Sequence, residues 1–90
     1  MALRYDVAGN ETVVDEESLS IEGLRKILDC QTVEFVALRG EIEAWALAVD
    51  EDGRLLQKPV NERASVLRGG LIVGTAVLLG REEYRKVVDG

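Results

Sequence analysis

The segment from Pro59 to Leu79 does most to limit what this chain can fold into. Pro59 has no backbone N–H to offer a strand ladder, so it closes any strand that reaches it. Asn61 follows, with a side-chain oxygen suited to accept from the free N–H groups at a helix start, and a short helix is predicted to run through Arg68. Gly69 and Gly70 supply the left-handed residue that stops it. Leu71 to Leu79 then reads as a strand, filled with Val, Ile, Leu and Thr and apolar on both faces. Gly74 in its middle weakens a strand unless a neighbouring side chain needs the space above it, and Trp45 is the expected occupant. On this reading Asn61→Ala costs about 1 kcal/mol through the lost cap.

The rest of the chain supplies the partners of that unit. Leu3–Val7 and Glu11–Val14, joined through Ala8-Gly9-Asn10, predict a hairpin. Ile21, Leu24, Ile27 and Leu28 recur at helical spacing from Ser20 to Asp29, with Ser18 or Ser20 as the N-cap. Gly23 inside this helix costs about 1 kcal/mol against alanine. Two strands follow, Thr32–Leu38 and Ile42–Val49, with a turn near Arg39-Gly40. In the second, Trp45, Leu47 and Val49 share one face and Ile42, Ala44, Ala46 and Ala48 the other, a pattern that belongs inside a covered sheet. Asp50–Gly53 makes a turn, and Arg54–Gln57 is expected to return as a strand. Tyr84, Val87 and Val88 fit one face of a helix, although an edge strand fits the last ten residues equally well.

Residues 1–90 thus form a single α+β domain: a mixed, mostly antiparallel sheet of four to six strands, one longer amphipathic helix and one short capped helix. The hydrophobic fraction of 47%, against 31% charged residues and one proline, excludes a disordered chain. No apolar run approaches the ~20 residues that span a bilayer. The N-terminus carries no charged region followed by an apolar one, so a cytoplasmic protein is expected. With one cysteine and no histidine there is no intrachain disulfide, no Cys/His zinc site and no imidazole base.

In the Asn61, Arg63, Ala64 pattern after a proline, the Ile72-Val73-Gly74-Thr75-Ala76 strand and the order of elements along nearly the whole chain, the sequence resembles the domain of unknown function numbered 3846. The resemblance implies a compact α+β domain of bacterial or viral origin in a phage or plasmid setting. It implies no substrate and no catalytic residue.

Other constellations give way to plainer readings. Asp50, Asp52 and Gly53 start like a calcium loop but lack its later ligands, so they read as a solvated turn. The glycines at 69, 70, 74 and 80 precede a strand where a phosphate loop needs a helix. Glu41 and Glu43 read as an acidic edge rather than a catalytic pair. Cys30 reads as a small half-buried residue.

Charge is more informative. Residues 1–52 hold thirteen Asp/Glu against four Lys/Arg, and residues 53–90 hold four against seven, within a net charge of −6. Arg54, Lys58, Arg63 and Arg68 fall in one short stretch around the helix that starts at Asn61. Three readings of that stretch stand side by side: a site for a phosphate, nucleotide or carboxylate, a solvated surface, and a patch that docks on the acidic half of another copy. The expected function is a small non-enzymatic accessory protein that binds a partner protein or small anionic ligand through Asn61, Arg63, Arg54, Lys58 and Arg68. A homodimer is among the expected assemblies, and no cofactor, metal, membrane or direct nucleic-acid contact is expected. Two other classes remain open: an acidic decoy that mimics DNA, motivated by Asp15–Glu17 and Asp50–Asp52, and an enzyme whose residues have no assignable roles.

Overall fold

The computed structural model of the protein describes residues 1–38 and 44–90; the expected turn at Arg39-Gly40, the start of a strand at Ile42 and the Glu41/Glu43 pair lie outside them. The chain starts with the predicted hairpin, β1 (Ala2–Tyr5) and β2 (Glu11–Val14). Its turn is fixed by the Asp6 carboxylate, which accepts from the backbone N–H groups of Ala8 at 3.0 Å and Asn10 at 2.9 Å. A 3₁₀ turn (Glu16–Ser18) leads into α1 (Ile21–Leu28), whose N-cap is Ser20, accepting from the Gly23 N–H at 2.9 Å. Gly23 is there for space: a Cβ would collide with the Ser18 carbonyl of the preceding turn.

Strands β3 (Val33–Ala37) and β4 (Ala44–Asp50) precede α2 (Glu62–Arg68), β5 (Ala76–Gly80) and α3 (Arg81–Asp89). The five strands form one sheet in the order β2-β1-β5-β4-β3, every neighbouring pair antiparallel. Successive residues of a strand face opposite sides. Accordingly, Ala48, Val77 and Leu79 pack with Leu24 and Leu28 of α1 and Val87 of α3, while Leu47, Val49 and Ala76 pack with Ala64 of α2. The chain's last segment is therefore a helix, Arg81–Asp89 with Val87 buried, rather than an edge strand.

Four expectations are corrected. Arg54–Gln57 is no strand: Leu56 N–H donates to the Asp52 carbonyl, Gln57 to Arg54 and Lys58 to Gly53, so residues 51–57 wind through successive turns. Leu55 is 82% exposed, and without a buried face a strand here gains nothing from pairing. The long strand after α2 shortens to Ala76–Gly80, because Gly74 adopts φ +75°. Before that kink only Val73 pairs, with Val60. The space above Gly74 is filled by the aliphatic stem of Lys58, not by Trp45. Finally, a register shift between Ala44 and Ala46 turns Trp45 away from the face of Leu47 and Val49, so that its ring lies 6.4 Å from Tyr84 of α3.

Candidate functional site

The five basic-stretch residues part company once folded. Asn61 is wholly buried and spends its side chain inside the fold: Oδ1 accepts from Ala64 N–H at 3.1 Å, capping α2, and Nδ2 donates to the carbonyls of Tyr5 and Gly74, both at 2.9 Å. It ties α2 to β1 and to the approach of β5, leaving no polar atom for a ligand. Lys58 is similarly engaged. Its ammonium donates to the carbonyls of Leu28 at 3.1 Å and Asp29 at 2.9 Å, satisfying groups that the end of α1 leaves open. The same nitrogen lies 2.7 Å from Asp50 Oδ2, a charge contact rather than an aligned hydrogen bond. Asp50 itself is buried at 6% exposure, so the Asp50–Asp52 run presents no row of carboxylates outward.

Arg63 points toward the hairpin. Its guanidinium sits 5.0 Å above the Tyr5 ring and 3.4 Å from Glu11 Oε1. Burial pushes the Tyr5 hydroxyl above its usual value, the Glu11 carboxylate adds to the rise and Arg63 partly offsets it. That arrangement covers the β1–β2 side of the sheet. Five residues further along a helix the side chain has turned through about 500°, so Arg68 faces elsewhere.

Arg68, at the last turn of α2, meets Arg54 from the 51–57 turns at a cleft against β3. The cleft has a volume of about 360 Å³, and Val36 and Leu71 line it together with the two arginines and with Glu34 and Glu51. A wider groove of about 770 Å³ continues from it past Ala37, Gly69 and Gly70, again lined by both arginines. Gly69 closes α2 in the left-handed conformation at φ 77°, which lets the chain turn back toward Leu71 at the rim. Among the described residues no carboxylate lies within ion-pair distance of Arg54 or Arg68.

Glu34 and Val36 are site residues that the sequence reading did not name. The signal was present in the alternation of β3, which sets both on one face and makes Glu34 an exposed charge in an otherwise apolar strand. Elsewhere the chemistry is quiet. Burial pushes the Cys30 thiol up, the Asp50 charge adds to that, and the sulfur is thereby kept protonated. Among the described residues no three acidic or cysteine side chains converge to hold a metal ion, and no helix is long and apolar enough to cross a membrane.

No curated protein and no solved structure matches the chain. One family does, over residues 4–89, and with nearly the whole domain covered the chain belongs to the family described as Domain of unknown function (DUF3846).

Proposed function

We propose that this protein is a small non-enzymatic binding module that takes a carboxylate-bearing segment of a partner protein between Arg54 and Arg68. The observation that carries the reading is that Arg54 and Arg68, from separate elements, line one cleft beside Val36, Leu71 and Ile72, with no ion-pair partner among the described residues. An arginine holds a carboxylate through two parallel N–H bonds, and such charge-assisted bonds are the strong ones. Glu34, Asp50 and Glu51 line the same cleft and the chain carries a net −6, so a dianionic phosphate meets about twice the repulsion that a single carboxylate does, and the carboxylate's hydrocarbon neighbours can add apolar contact. The opening lies along β3, the outer strand of the sheet, which suits an extended segment better than a compact ligand. The phage or plasmid setting implied by the family resemblance belongs to this proposal as its context.

The test is a titration of isotope-labelled protein with two capped pentapeptides that differ only in a central glutamate or glutamine. Amide shifts at Val36, Arg54 and Arg68 with the glutamate peptide, weakened at least about tenfold by glutamine or by Arg54→Ala with Arg68→Ala, are expected. Equal binding of the two peptides, or no shift with either, refutes the reading.

A further inference from the structure

We propose that the carboxylate-bearing segment is β3 of a second copy of this chain. Two copies would join their β3 edges antiparallel about Phe35 into one ten-stranded sheet, each copy's Glu34 reaching Arg54 and Arg68 of the other. This rests on the reading above, that the two arginines receive a carboxylate, and it names the partner.

The backbone points the same way. Among the described residues β3 is a terminal strand, paired with β4 alone. The Thr32 carbonyl accepts from Glu51 N–H at 3.0 Å and Leu38 N–H donates to Trp45 at 3.2 Å, so the even-numbered residues spend their backbone groups on β4. Alternation along an antiparallel strand then turns the N–H and C=O groups of Val33, Phe35 and Ala37 outward. Edges of this kind are usually blunted by lysine, proline or a short strand. The opposite edge, β2, has four residues and exposes Glu11, Thr12 and Val13, whereas β3 has five and carries Val33, Phe35, Val36 and Ala37 with a single charge, Glu34.

The register follows from those outward groups. A two-fold axis at Phe35 pairs Val33 with Ala37 of the other copy, Phe35 with Phe35 and Ala37 with Val33, so every outward N–H and C=O finds a partner. Glu34 then falls opposite Val36 of the other copy, with Cα atoms about 4.5 Å apart. Val36 lies in the same cleft as Arg54 and Arg68, so Glu34 arrives beside two arginines that have no ion-pair partner among the described residues. The exchange is reciprocal, as a two-fold interface demands. On the opposite face the two Phe35 rings come side by side, each already edge-on to Tyr84 at 5.2 Å, which extends an aromatic cluster across the junction.

Sedimentation of the full chain from about 10 µM to 1 mM, repeated on variants, tests this. A dimer is expected. Ala37→Pro removes an outward N–H that the protein's own sheet does not use, and should weaken the dimer at least about tenfold with little change in melting. Glu34→Arg should give a monomer, as should Arg54→Glu with Arg68→Glu, and all three changes together should restore the dimer. A wild-type monomer throughout, or a dimer indifferent to Ala37→Pro and to the charge exchange, overturns the proposal. If the monomer binds a capped Val-Glu-Phe-Val-Ala peptide, only the identity of the partner is lost; if it does not, the carboxylate reading fails as well.

Discussion

Replacing Asn61 by alanine removes three hydrogen bonds at one buried point, and the structure allows the cost to be built up. The cap on α2, Oδ1 to Ala64 N–H at 3.1 Å, is worth about 1 kcal/mol. The two Nδ2 bonds matter more, because the Tyr5 and Gly74 carbonyls they satisfy are left facing a buried gap. Each unsatisfied acceptor costs about 1–3 kcal/mol, reduced if a water enters the space the side chain vacates. The sum is about 3–7 kcal/mol, at the lower end if a water enters, and severalfold above the ~1 kcal/mol that a cap alone carries. For a domain of this size that lowers the melting temperature by about 12 °C or more. Asn61→Asp separates the two contributions. It keeps the cap oxygen but sets a second carboxylate oxygen against two carbonyls, which raises the pKa of the new acid in the folded state. A folded pKa above the unfolded value means that acidification favours the folded form, so the deficit of this variant should shrink as pH falls from 7 to 5. Urea unfolding at both pH values measures this. A loss of about 1 kcal/mol or less for Asn61→Ala, or an Asn61→Asp deficit that does not change with pH, refutes the argument that the carbonyls depend on Asn61.

Lys58→Met strips the end of α1 of its donor and leaves Asp50 buried and unpaired, which should cost about 3 kcal/mol in denaturant unfolding. Adding Asp50→Asn should recover part of the loss; a double variant as unstable as the sum of the singles would show that the pair does not interact. At the hairpin turn the Asn10 backbone and side-chain hydrogen bonds hold the Asp6 carboxyl below its usual range, with Ala8 and Arg4 acting in the same direction. A depressed folded pKa gives stability that is complete above the unfolded pKa and lost as pH falls through the folded one. Asp6→Asn should therefore flatten the acid limb of the stability profile below the ordinary carboxylate range, and an unchanged acid limb would count against it.

What the sequence made legible was chemistry that closes within a turn or two of chain. Ser20, Asn61 and Gly69 each do what their type does at a helix end, and the partner of each lies three or four residues away. Alternation in β3 and β4 and the 3.6-residue spacing in α1 are signals of the same local kind. The errors came where identity depends on a distant neighbour. Leu55 and Leu56 look like the start of a strand, yet they find no partner and no face to bury, and the backbone closes on itself in turns instead. Gly74 looks like a flaw in a long strand, and is in fact where the strand has not begun, bent at positive φ beneath the Lys58 stem. One shifted residue at Trp45 was enough to reverse its face, because side-chain direction in a strand has a period of two.

The basic stretch shows the same division from the side of function. Arg54, Lys58, Arg63 and Arg68 look alike in the sequence, and what separates them is who waits for them in space. The Lys58 partners lie 29 and 30 residues back in the chain, and the Glu11 that meets Arg63 lies 52 residues back. Those partners are structural, so these two cations are consumed in holding α1, β4 and the hairpin in place. Asn61 goes further, reaching 56 residues back to Tyr5. Arg54 and Arg68 are the two of the four that no carboxylate reaches within ion-pair distance among the described residues, and they line one cleft through two features that local pattern does not join: the turns after β4 and the end of α2. A cation that a fold spends on itself costs stability when removed, whereas one aimed at a partner costs binding and leaves melting almost unchanged. Lys58 and Arg54, four residues apart in the sequence, should therefore respond oppositely to substitution: Lys58→Met in the melting curve, Arg54→Ala in the titration.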